Sequence, residues 1–550
     1  MVKSKKVLIV GGVAGGATAA ARARRLDESA EIVLFERGDY ISFANCGLPY
    51  YIGGPISERD DLLVTTPDKF SRRYRIDIRL GDEVTAIDRH ARRITVRNRK
   101  SRRTYREDYD TLILSPGAVP VKPPLPGIES ERIFTIRTIP DTDKLKDFLD
   151  SRRPKRAVVV GGGFIGLEMT ENLKRRGLEV ILIELADQVL PSLDPEMAAA
   201  VHDHLKEQGV ELRLGTGVTG FADESENLVV MTSRMDHEVC DLAVLSIGVR
   251  PENELARAAG LAIGAHGGIQ TDAAMRTSDP HIYAVGDAAE VTDFVGGKPV
   301  LIPLAGPANK QGRIAADNAM GRTSIFRGTQ GTSIVKLFDL TAASTGASET
   351  SLKRDGTAHL VSYTDGLSHA SYYPGAEVML IKLLFSPGNG RLLGAQIVGG
   401  RGVDKRIDVL ATAIRGEMSV FDLEELELAY APPYSSAKDP VNLAGYHAAN
   451  ILKGDVKIAD WRRLKAAGDD TVILDVRTEP ELETDGTIPG AVNIPIDQLR
   501  DRLGELDHGK TYILVCLAGL RSYLGCRILS AHGYECLSVS GGYMLCRHLR

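Results

Sequence analysis

Two segments of the chain repeat one local pattern: an apolar strand, a glycine-rich turn, a helix and a second strand that ends in glutamate. The first occupies residues 6–36 and the second residues 157–184. Each has about the 30 residues of a βαβ unit that binds a dinucleotide. Glycines let the backbone approach a pyrophosphate, and the helix N-terminus then faces its negative charge. Two such units therefore predict two dinucleotide sites.

The two turns differ slightly in their glycines. These are Gly11, Gly12, Gly15 and Gly16 in the first unit and Gly161, Gly163 and Gly166 in the second. The second turn follows the GxGxxG pattern, whereas the first has Val13 at the middle position. Glu36 and Glu184 close the two units, and each is expected to accept hydrogen bonds from a ribose hydroxyl. Because a carboxylate at 184 would repel a 2′-phosphate, the sequence predicts NADH rather than NADPH.

Two further motifs indicate which dinucleotide occupies which unit. Residues 277–287 form a strand that ends in Gly286-Asp287, and residues 112–118 read LILSPGA. Together with the glycine turns, this ordered set resembles the two-dinucleotide flavoprotein disulfide reductases. The resemblance implies that FAD binds the first unit and the nicotinamide the second, with Asp287 on the ribityl chain of the flavin. The FAD contacts that we expect are Gly11, Gly12, Gly15, Gly16, Glu36, Arg37, Asp287 and Ala305.

A single cysteine, Cys46, lies in the segment of residues 42–50, SFANCGLPY. Without a neighbouring cysteine it cannot close a local disulfide, so it must pair with a diffusible partner or react with oxygen. We expect a lowered thiol pKa beside a helix N-terminus and a flavin, as a nucleophile requires. This segment, with residues 303–313 and 429–440, resembles coenzyme A-disulfide reductases and single-cysteine NADH oxidases.

That resemblance, which covers residues 1 to about 450, implies further site residues. In the coenzyme A enzymes, tyrosines from the other subunit replace a His–Glu base. The matching positions are Tyr372 and Tyr430, with Tyr434 as an alternative, which implies a homodimer. For coenzyme A itself, the expected contacts are Ser42 and Asn45 in the cysteine motif and Arg22 and Arg25 on the first helix, since guanidinium groups suit phosphates.

The last hundred residues carry a separate resemblance. Residues 474–477, 486–495 and 516–521 are similar, in that order, to a rhodanese domain, although Thr487 stands where many rhodaneses have histidine. A loop from Cys516 to Arg521 is predicted to form a nest of backbone N–H groups that stabilises an anionic persulfide. Its six residues match sulfurtransferases, whereas related phosphatases use one more. Cys526, Cys536 and Cys546 are expected to be structural, although one of them could resolve a persulfide on Cys516.

The predicted fold class is α/β, with two Rossmann-like dinucleotide-binding domains, an α+β dimerisation domain and an α/β rhodanese-like domain. The boundaries that we expect are 1–118 with 250–325 for FAD, 119–249 for NAD, 326–450 for dimerisation, 451–460 for a linker and 461–550 for the rhodanese. A net charge of −5 argues against nucleic-acid binding. No stretch approaches the ~20 apolar residues of a membrane span, and six sparse cysteines favour the cytoplasm.

The predicted activity is NADH-dependent reduction of coenzyme A persulfide, polysulfide or coenzyme A disulfide at Cys46. Cys516 would transfer sulfane sulfur, and hydrogen sulfide would be released. Two alternatives stay open: a single-cysteine NADH oxidase or peroxidase, in which Cys46 cycles through a sulfenic acid, and a sulfur carrier or sensor with the flavin half as a scaffold. No metal is expected.

Overall fold

The computed structural model describes residues 4–461, 464, 468 and 470–547. The chain divides into two compact units, Met1–Asp187 with Gly209–Gly331 and Gln188–Gln208 with Thr332–Arg550. Both glycine turns lie in the first unit. Among the described residues, none of the helices combines the length and hydropathy that crossing a membrane requires.

The elements up to residue 134 are β1 (Lys6–Val10), α1 (Ala14–Leu26), β2 (Glu31–Glu36), α2 (Leu48–Gly53), α3 (Pro67–Tyr74), β3 (Asp77–Leu80), β4 (Asp82–Asp88), β5 (Arg93–Asn98), β6 (Thr104–Asp108), β7 (Thr111–Leu114), β8 (Ala118–Pro120) and β9 (Ile133–Phe134). Up to residue 319 follow α4 (Ile139–Arg152), β10 (Arg156–Val160), α5 (Phe164–Arg175), β11 (Glu179–Ile183), α6 (Pro195–Glu207, of the second unit), β12 (Glu211–Arg213), β13 (Val218–Glu224), β14 (Asn227–Thr232), β15 (His237–Cys240), β16 (Leu242–Leu245), β17 (Val249–Pro251), α7 (Glu254–Ala258), β18 (Ile269–Gln270), β19 (Ile282–Ala284), β20 (Ala289–Thr292), β21 (Pro299–Val300) and α8 (Ala305–Ala319).

The first unit contains two parallel five-stranded sheets. One has the order β19-β7-β1-β2-β3 and the other the order β12-β11-β10-β16-β9. Their central strands are apolar and buried along most of their length, as strands covered on both faces must be. In each sheet the glycine turn follows the central strand, so that the turn lies at the carboxyl edge, where ligands of such sheets bind.

The second unit continues with β22 (Ser333–Leu337), β23 (Leu340–Gly346), α9 (Glu349–Arg354), β24 (Leu360–Leu367), β25 (Val378–Phe385), β26 (Leu392–Gly399), α10 (Val403–Arg415), α11 (Val420–Glu425) and α12 (Pro440–Leu452). The five strands form one antiparallel sheet of order β22-β23-β26-β25-β24. Helix α10 packs on this sheet through its buried face, which includes Ile407, Leu410 and Ile414. The hairpin of β25 and β26 and this helix were both predicted and are confirmed.

The C-terminal part comprises β27 (Ile458–Ala459), β28 (Thr471–Asp475), α13 (Glu479–Asp485), β29 (Val492–Asn493), β30 (Thr511–Val515), α14 (Leu520–Ala531), β31 (Glu535–Val539) and α15 (Gly542–Arg547). Its strands form a parallel sheet of order β27-β31-β30-β28-β29. Because β27 pairs with β31, this sheet begins inside the segment that we expected to be a linker.

The sequence predicts the helices of the two βαβ units from Ala17 and Leu167, directly after their glycine turns, but α1 begins at Ala14 and α5 at Phe164. In α1, Gly15 and Gly16 form the first turn and let the helix pack closely against its neighbours. The fold class itself, with its two dinucleotide-binding sheets, antiparallel sheet and C-terminal parallel sheet, is confirmed.

A close approach of α1 and α8 generates a test of this packing. A Cβ atom on Gly312 of α8 would lie 2.3 Å from the carbonyl oxygen of Gly15, whereas a Cβ on Gly306 of the same helix would meet open space. We expect Gly312→Ala to destabilise the protein by about 1–3 kcal/mol, because it forces the two helices apart. Urea unfolding measures this loss, with Gly306→Ala as the control. Equal stability of the two variants would contradict the packing argument.

Candidate functional sites

The first glycine turn is closed by a carboxylate from the neighbouring strand. The Gly12 N–H donates to Glu36 Oε2 at 2.9 Å, and the Gly38 N–H donates to Oε1 at 2.8 Å. Gly11 has a φ of +95°, and a Cβ on Gly16 would lie 1.8 Å from the Gly11 carbonyl oxygen. Only glycines fit this turn, and Glu36 is held in place at its open end.

A cleft of about 450 Å³ extends from this turn. Of the predicted FAD residues it is lined by Gly11, Gly15, Glu36, Arg37 and Asp287, together with Asn45 of the cysteine motif. Gly12 and Gly16 support the turn rather than line the cleft. Ala305 begins helix α8, and the residue of this helix that lines the cleft is Ala308, one turn later.

Charged side chains are distributed along the cleft. Arg37 pairs with Glu252 at 2.8 Å, and Arg137, which sequence reasoning missed, lies 3.5 Å from Asp287. Burial raises the pKa of the Asp287 carboxyl above its usual value, and the opposing effect of the Arg137 charge is smaller. The buried Oδ1 of Asn45 has no hydrogen-bond partner in the part of the chain that the structure describes. A long cleft with a glycine turn at one position and an open carboxylate and amide at others fits an extended dinucleotide such as FAD.

The second glycine turn repeats the same design. The Gly162 N–H donates to Glu184 Oε2 at 2.6 Å, and the Ala186 N–H donates to Oε1 at 2.8 Å. A Cβ on Gly166 would lie 1.9 Å from the Gly161 carbonyl oxygen, but one on Gly163 would meet nothing within 4 Å. Gly163 therefore leaves room at the start of α5, where a pyrophosphate would approach the backbone.

Cys46 lies in a single 3-10 turn, Asn45–Gly47, that leads directly into α2. The residue is exposed. Ser42, four residues earlier, has a φ of +45°, which is uncommon for a residue other than glycine. Its N–H donates to the Gly12 carbonyl at 2.9 Å, so the cysteine motif is attached to the first glycine turn.

We expected a lowered thiol pKa for Cys46 beside a bound flavin, whereas the groups that the chain itself supplies raise this pKa. Protein atoms around the sulfur displace water, and the carboxylates of Glu168 and Asp287 add negative charge; together they raise the thiol pKa. Arg137 acts in the opposite direction but does not outweigh them.

Glu168, on α5, is a second residue that sequence reasoning missed. Burial raises the pKa of its carboxyl to about 7, and Tyr50, from α2, donates a hydrogen bond to it at 3.3 Å. The packing of α2 against α5 therefore places a carboxyl that titrates near neutral pH in the electrostatic environment of Cys46. No local pattern could have found it, since the contact joins residues 118 positions apart.

The two arginines expected to bind coenzyme A phosphates differ in availability. Arg22 is mostly buried, and its Nε lies 2.7 Å from Asp317 Oδ1. Its guanidinium is therefore already engaged by a carboxylate of the same unit. Arg25 is exposed on the same helix, in its last turn.

In the second unit, Tyr372 and Tyr430 lie side by side at the surface. Their hydroxyl oxygens are 2.7 Å apart, and the side chains are 72% and 48% exposed. This hydrogen bond raises the pKa of the Tyr372 hydroxyl. Tyr434 is exposed as well. The structure thus joins the two tyrosines that the sequence selected from positions 58 residues apart.

Cys516 follows β30 and begins the loop that leads into α14. Its side chain is buried, and its sulfur accepts a hydrogen bond from the Gly519 N–H at 3.0 Å. The Cys516 thiol donates to Ser522 Oγ at 3.6 Å, and Ser538 in turn donates to Ser522 at 2.9 Å. The predicted nest would have several backbone N–H groups around the sulfur; the structure shows a hydrogen bond from one of them, that of Gly519, and the hydroxyls of Ser522 and Ser538 lie next to it.

Arg521, expected to act in the same site, is anchored elsewhere. It forms two hydrogen bonds with Glu481 of α13, at 2.7 and 2.5 Å. The pairing lowers the pKa of the Glu481 carboxyl to about 2. Glu481 also accepts bonds from the N–H and hydroxyl of Thr478, as a helix cap does. Arg521 thus fastens the Cys516 loop to α13.

The remaining cysteines of this domain differ in their surroundings. Cys526 and Cys536 are buried next to each other, and Cys546 is half-buried. A hydrogen bond from Cys526 lowers the pKa of Cys536 to about 7, and the same contact raises the pKa of Cys526. Thr487 lies among exposed residues after α13.

A buried charge cluster surrounds Lys382 in the antiparallel sheet. Its ammonium lies 2.8 Å from Asp194 and 2.6 Å from Glu349, and it also contacts Glu196. These three carboxylates are close enough to share a metal ion. The lysine, fully buried in their midst, makes the cluster an ion-pair network instead.

The charge on Glu168 generates a prediction about Cys46. We expect Glu168→Gln to shift the pH of half-maximal Cys46 alkylation by iodoacetamide downward by about half a pH unit or more, because a negative charge near the thiol is removed. Mass spectrometry of the Cys46 peptide follows the reaction, with Glu179→Gln, an exposed site at the start of β11, as the control. An unchanged or raised midpoint would contradict the assignment.

Comparisons with known proteins agree with this geometry. Residues 5–312 match the model of the pyridine nucleotide-disulphide oxidoreductase family, residues 332–440 its dimerisation domain, and residues 459–546 the rhodanese-like domain. A coenzyme A disulfide reductase of Staphylococcus haemolyticus is 39% identical over 452 residues, covering 81% of this chain and all of the relative.

Two solved structures match nearly the whole chain. Reduced Bacillus anthracis CoADR-RHD is 50% identical, with a TM-score of 0.97 and coverage of 99% of this chain and 98% of that one. An NAD-dependent persulfide reductase from A. fulgidus is 38% identical, with a TM-score of 0.92 and coverage of 98% and 99%. The two glycine turns and the position of Cys46 near the cleft agree with these matches. The chain belongs to the pyridine nucleotide-disulphide oxidoreductase family and carries a fused rhodanese-like domain.

Proposed function

We propose that this protein is an NADH-dependent flavoprotein that reduces coenzyme A persulfide, polysulfide or coenzyme A disulfide through Cys46. Its rhodanese-like domain transfers sulfane sulfur on Cys516, and hydrogen sulfide is a product. The observation that carries the proposal is the presence of two reactive-cysteine sites of different design. Cys46 is attached to a dinucleotide turn, whereas Cys516 lies in a loop that offers a hydrogen bond to its sulfur.

The residues that would hold the cofactors follow from the two turns. Glu36 and Glu184 are fixed by backbone N–H groups and would each accept a hydrogen bond from a ribose. Asp287, which lines the cleft, would contact the ribityl chain of the FAD. Bound FAD supplies the two-electron link between NADH and Cys46.

The chain's own residues define the chemistry at Cys46. The thiolate attacks a sulfur–sulfur bond of the substrate, and the departing sulfur needs a proton. Glu168, whose carboxyl pKa is about 7, holds such a proton at neutral pH. Tyr50 keeps this carboxyl in position through its hydroxyl. Ser42, Asn45 and Arg25 are the coenzyme A contacts that we retain; Arg22 would have to leave Asp317.

We further propose a homodimer in which the hydroxyl pair of Tyr372 and Tyr430 serves the sulfur site of the partner subunit. Support comes from the dimerisation-domain match and from the exposure of both tyrosines. A cytoplasmic location, where thiols stay reduced, is part of the same proposal.

Each of the two alternatives leaves one feature of the chain without a use. A single-cysteine NADH oxidase has no use for a rhodanese-like domain with its cysteine in place. A carrier or sensor would not need the second, complete glycine turn at Gly161–Gly166. Reduction of sulfur substrates explains both features.

The anchored carboxylate of Glu184 predicts cofactor preference. We expect kcat/KM with NADH to exceed that with NADPH by at least about tenfold, or roughly 1.4 kcal/mol, because the carboxylate repels a 2′-phosphate. Steady-state kinetics with both cofactors measures the ratio, and Glu184→Ala should narrow it. Glu179→Ala, at the opposite end of β11, is the control. Equal efficiency with the two cofactors in the unaltered protein would refute the prediction.

The two cysteines predict a division of labour. Cys46→Ser should abolish NADH-dependent reduction of every sulfur substrate, because it removes the nucleophile, but it should leave sulfur transfer nearly intact. Cys516→Ser should abolish sulfur transfer, while preformed coenzyme A persulfide or disulfide is reduced at close to the normal rate. NADH oxidation and cyanide-labile sulfur assays measure the two activities.

The outcome for Cys516→Ser separates the proposal from its alternatives. If this variant reduces every substrate, including those that require loading, as fast as the unaltered protein, the rhodanese-like domain is not on the pathway. Vigorous oxygen consumption without sulfur reduction would instead support the oxidase.

A further inference from the structure

The loop that begins at Cys516 contains one charged residue. Its residues are Cys516, Leu517, Ala518, Gly519, Leu520 and Arg521, so Arg521 is the only charged residue in the loop. Arg521 forms two hydrogen bonds with Glu481, which is itself held by Thr478. The one cation of the loop is therefore already neutralised by a fixed carboxylate.

The other arginine of the rhodanese motifs is no more available. Arg477 is fully buried and forms a bidentate pair with Asp475, with bonds of 3.0 and 2.7 Å. Its Nη1 has no hydrogen-bond partner among the described residues, but the whole side chain is inaccessible and its Cζ lies 3.9 Å from the ring centre of Tyr543. An anion arriving from solvent cannot reach it.

The histidine that faces the loop carries no charge at neutral pH. His447 of α12 lies beside Gly519: its Cε1 is 3.7 Å from the position of a Cβ on that glycine. Burial lowers the pKa of this imidazole. Its Nδ1 is engaged by Thr364 Oγ1 at 3.1 Å. This side of the loop thus offers a neutral aromatic surface.

The solvent side of the loop is apolar. Leu520 is 58% exposed, and Leu524, one turn further along α14, is 45% exposed. Leu517 directly follows the cysteine. Among the described residues, the polar groups that contact the sulfur are the Gly519 N–H and the Ser522 hydroxyl, both uncharged, and the paired Arg521 acts on it through its charge alone.

These surroundings bear on the sulfur donor. Thiosulfate carries two negative charges to a thiolate, and the sulfite that leaves is a dianion, so a site for it needs free cations. We propose that Cys516 takes its sulfur from organic persulfides, R–S–SH, and discriminates against thiosulfate. This inference rests on the proposed sulfurtransferase role of Cys516 and specifies its substrate class.

The transfer balances without a further reactant. The Cys516 thiolate attacks the outer sulfur of R–S–SH; a new sulfur–sulfur bond forms to Cys516, and the bond to the R–S sulfur breaks. R–S⁻ departs with the electron pair of the broken bond, and the transferred sulfur retains its proton. No net oxidation occurs. The Gly519 N–H then faces sulfur that bears or gains negative charge as the new persulfide ionises.

The test compares donors on the full-length, flavin-loaded protein. The protein is incubated anaerobically with glutathione persulfide or with thiosulfate, and cyanide-labile sulfur is measured over time. The signal of Cys516→Ser protein is subtracted, so that only sulfur on Cys516 counts. We expect loading from the persulfide to be at least about tenfold faster than loading from thiosulfate.

Two exposed leucines provide a matched gain-of-function pair. Leu520→Arg adds a cation beside the loop and should raise the rate of thiosulfate loading severalfold, whereas Leu524→Arg, the same change one turn away, should not. Leu517→Arg is a second variant that places the charge next to the cysteine.

Each outcome has one meaning. If thiosulfate loads the unaltered protein as fast as the persulfide, or if neither Leu520→Arg nor Leu517→Arg accelerates thiosulfate loading, the donor inference is overturned and the sulfurtransferase role survives. If neither donor loads Cys516 at all, the proposed sulfurtransferase role itself fails.

Discussion

A hydrogen bond between a glycine N–H and a glutamate carboxylate one strand away organises both dinucleotide sites. Gly12 pairs with Glu36, and Gly162 pairs with Glu184. The bond requires the turn to pass close to the end of the second strand, which glycine alone permits. It also keeps the carboxylate at the edge of the sheet, where we propose that it binds a ribose. The cleft, the cysteine motif attached to Gly12 and the proposed cofactor preference all depend on this arrangement.

The sequence was sufficient wherever the signal is local. Strands, turns and helices of both βαβ units, the hairpin and the helix Val403–Arg415 follow from residues within about one element of each other. Side-chain partners are different, because they come from distant segments. Arg22 is engaged by a carboxylate 295 residues later, and Glu168 meets Tyr50 across 118 residues. No periodicity encodes such contacts, so the sequence did not show that Arg22 pairs with a carboxylate, and it missed Glu168.

The tyrosines Tyr372 and Tyr430 are an instructive intermediate case. Neither periodicity nor composition marks them, and the resemblance to coenzyme A-disulfide reductases selected them by motif position alone. The fold brings their hydroxyls to 2.7 Å on an exposed surface. Because exposed tyrosines gain little from such a bond in a monomer, the arrangement is better explained by a partner surface than by stability.

Cys46 and Cys516, the two cysteines that we propose to be reactive, lie in different surroundings. The charges that the chain places around Cys46 disfavour its thiolate, and Arg137 is the cation that counters them. A thiol held neutral in this way reacts slowly with stray disulfides, so its activation depends on what fills the cleft. The cation of the Cys516 loop is paired with Glu481, and the Cys516 sulfur is buried, so that access to this sulfur differs from access to the exposed Cys46. Under the proposed function, sulfur loading and sulfur reduction therefore take place at two sites with different surroundings.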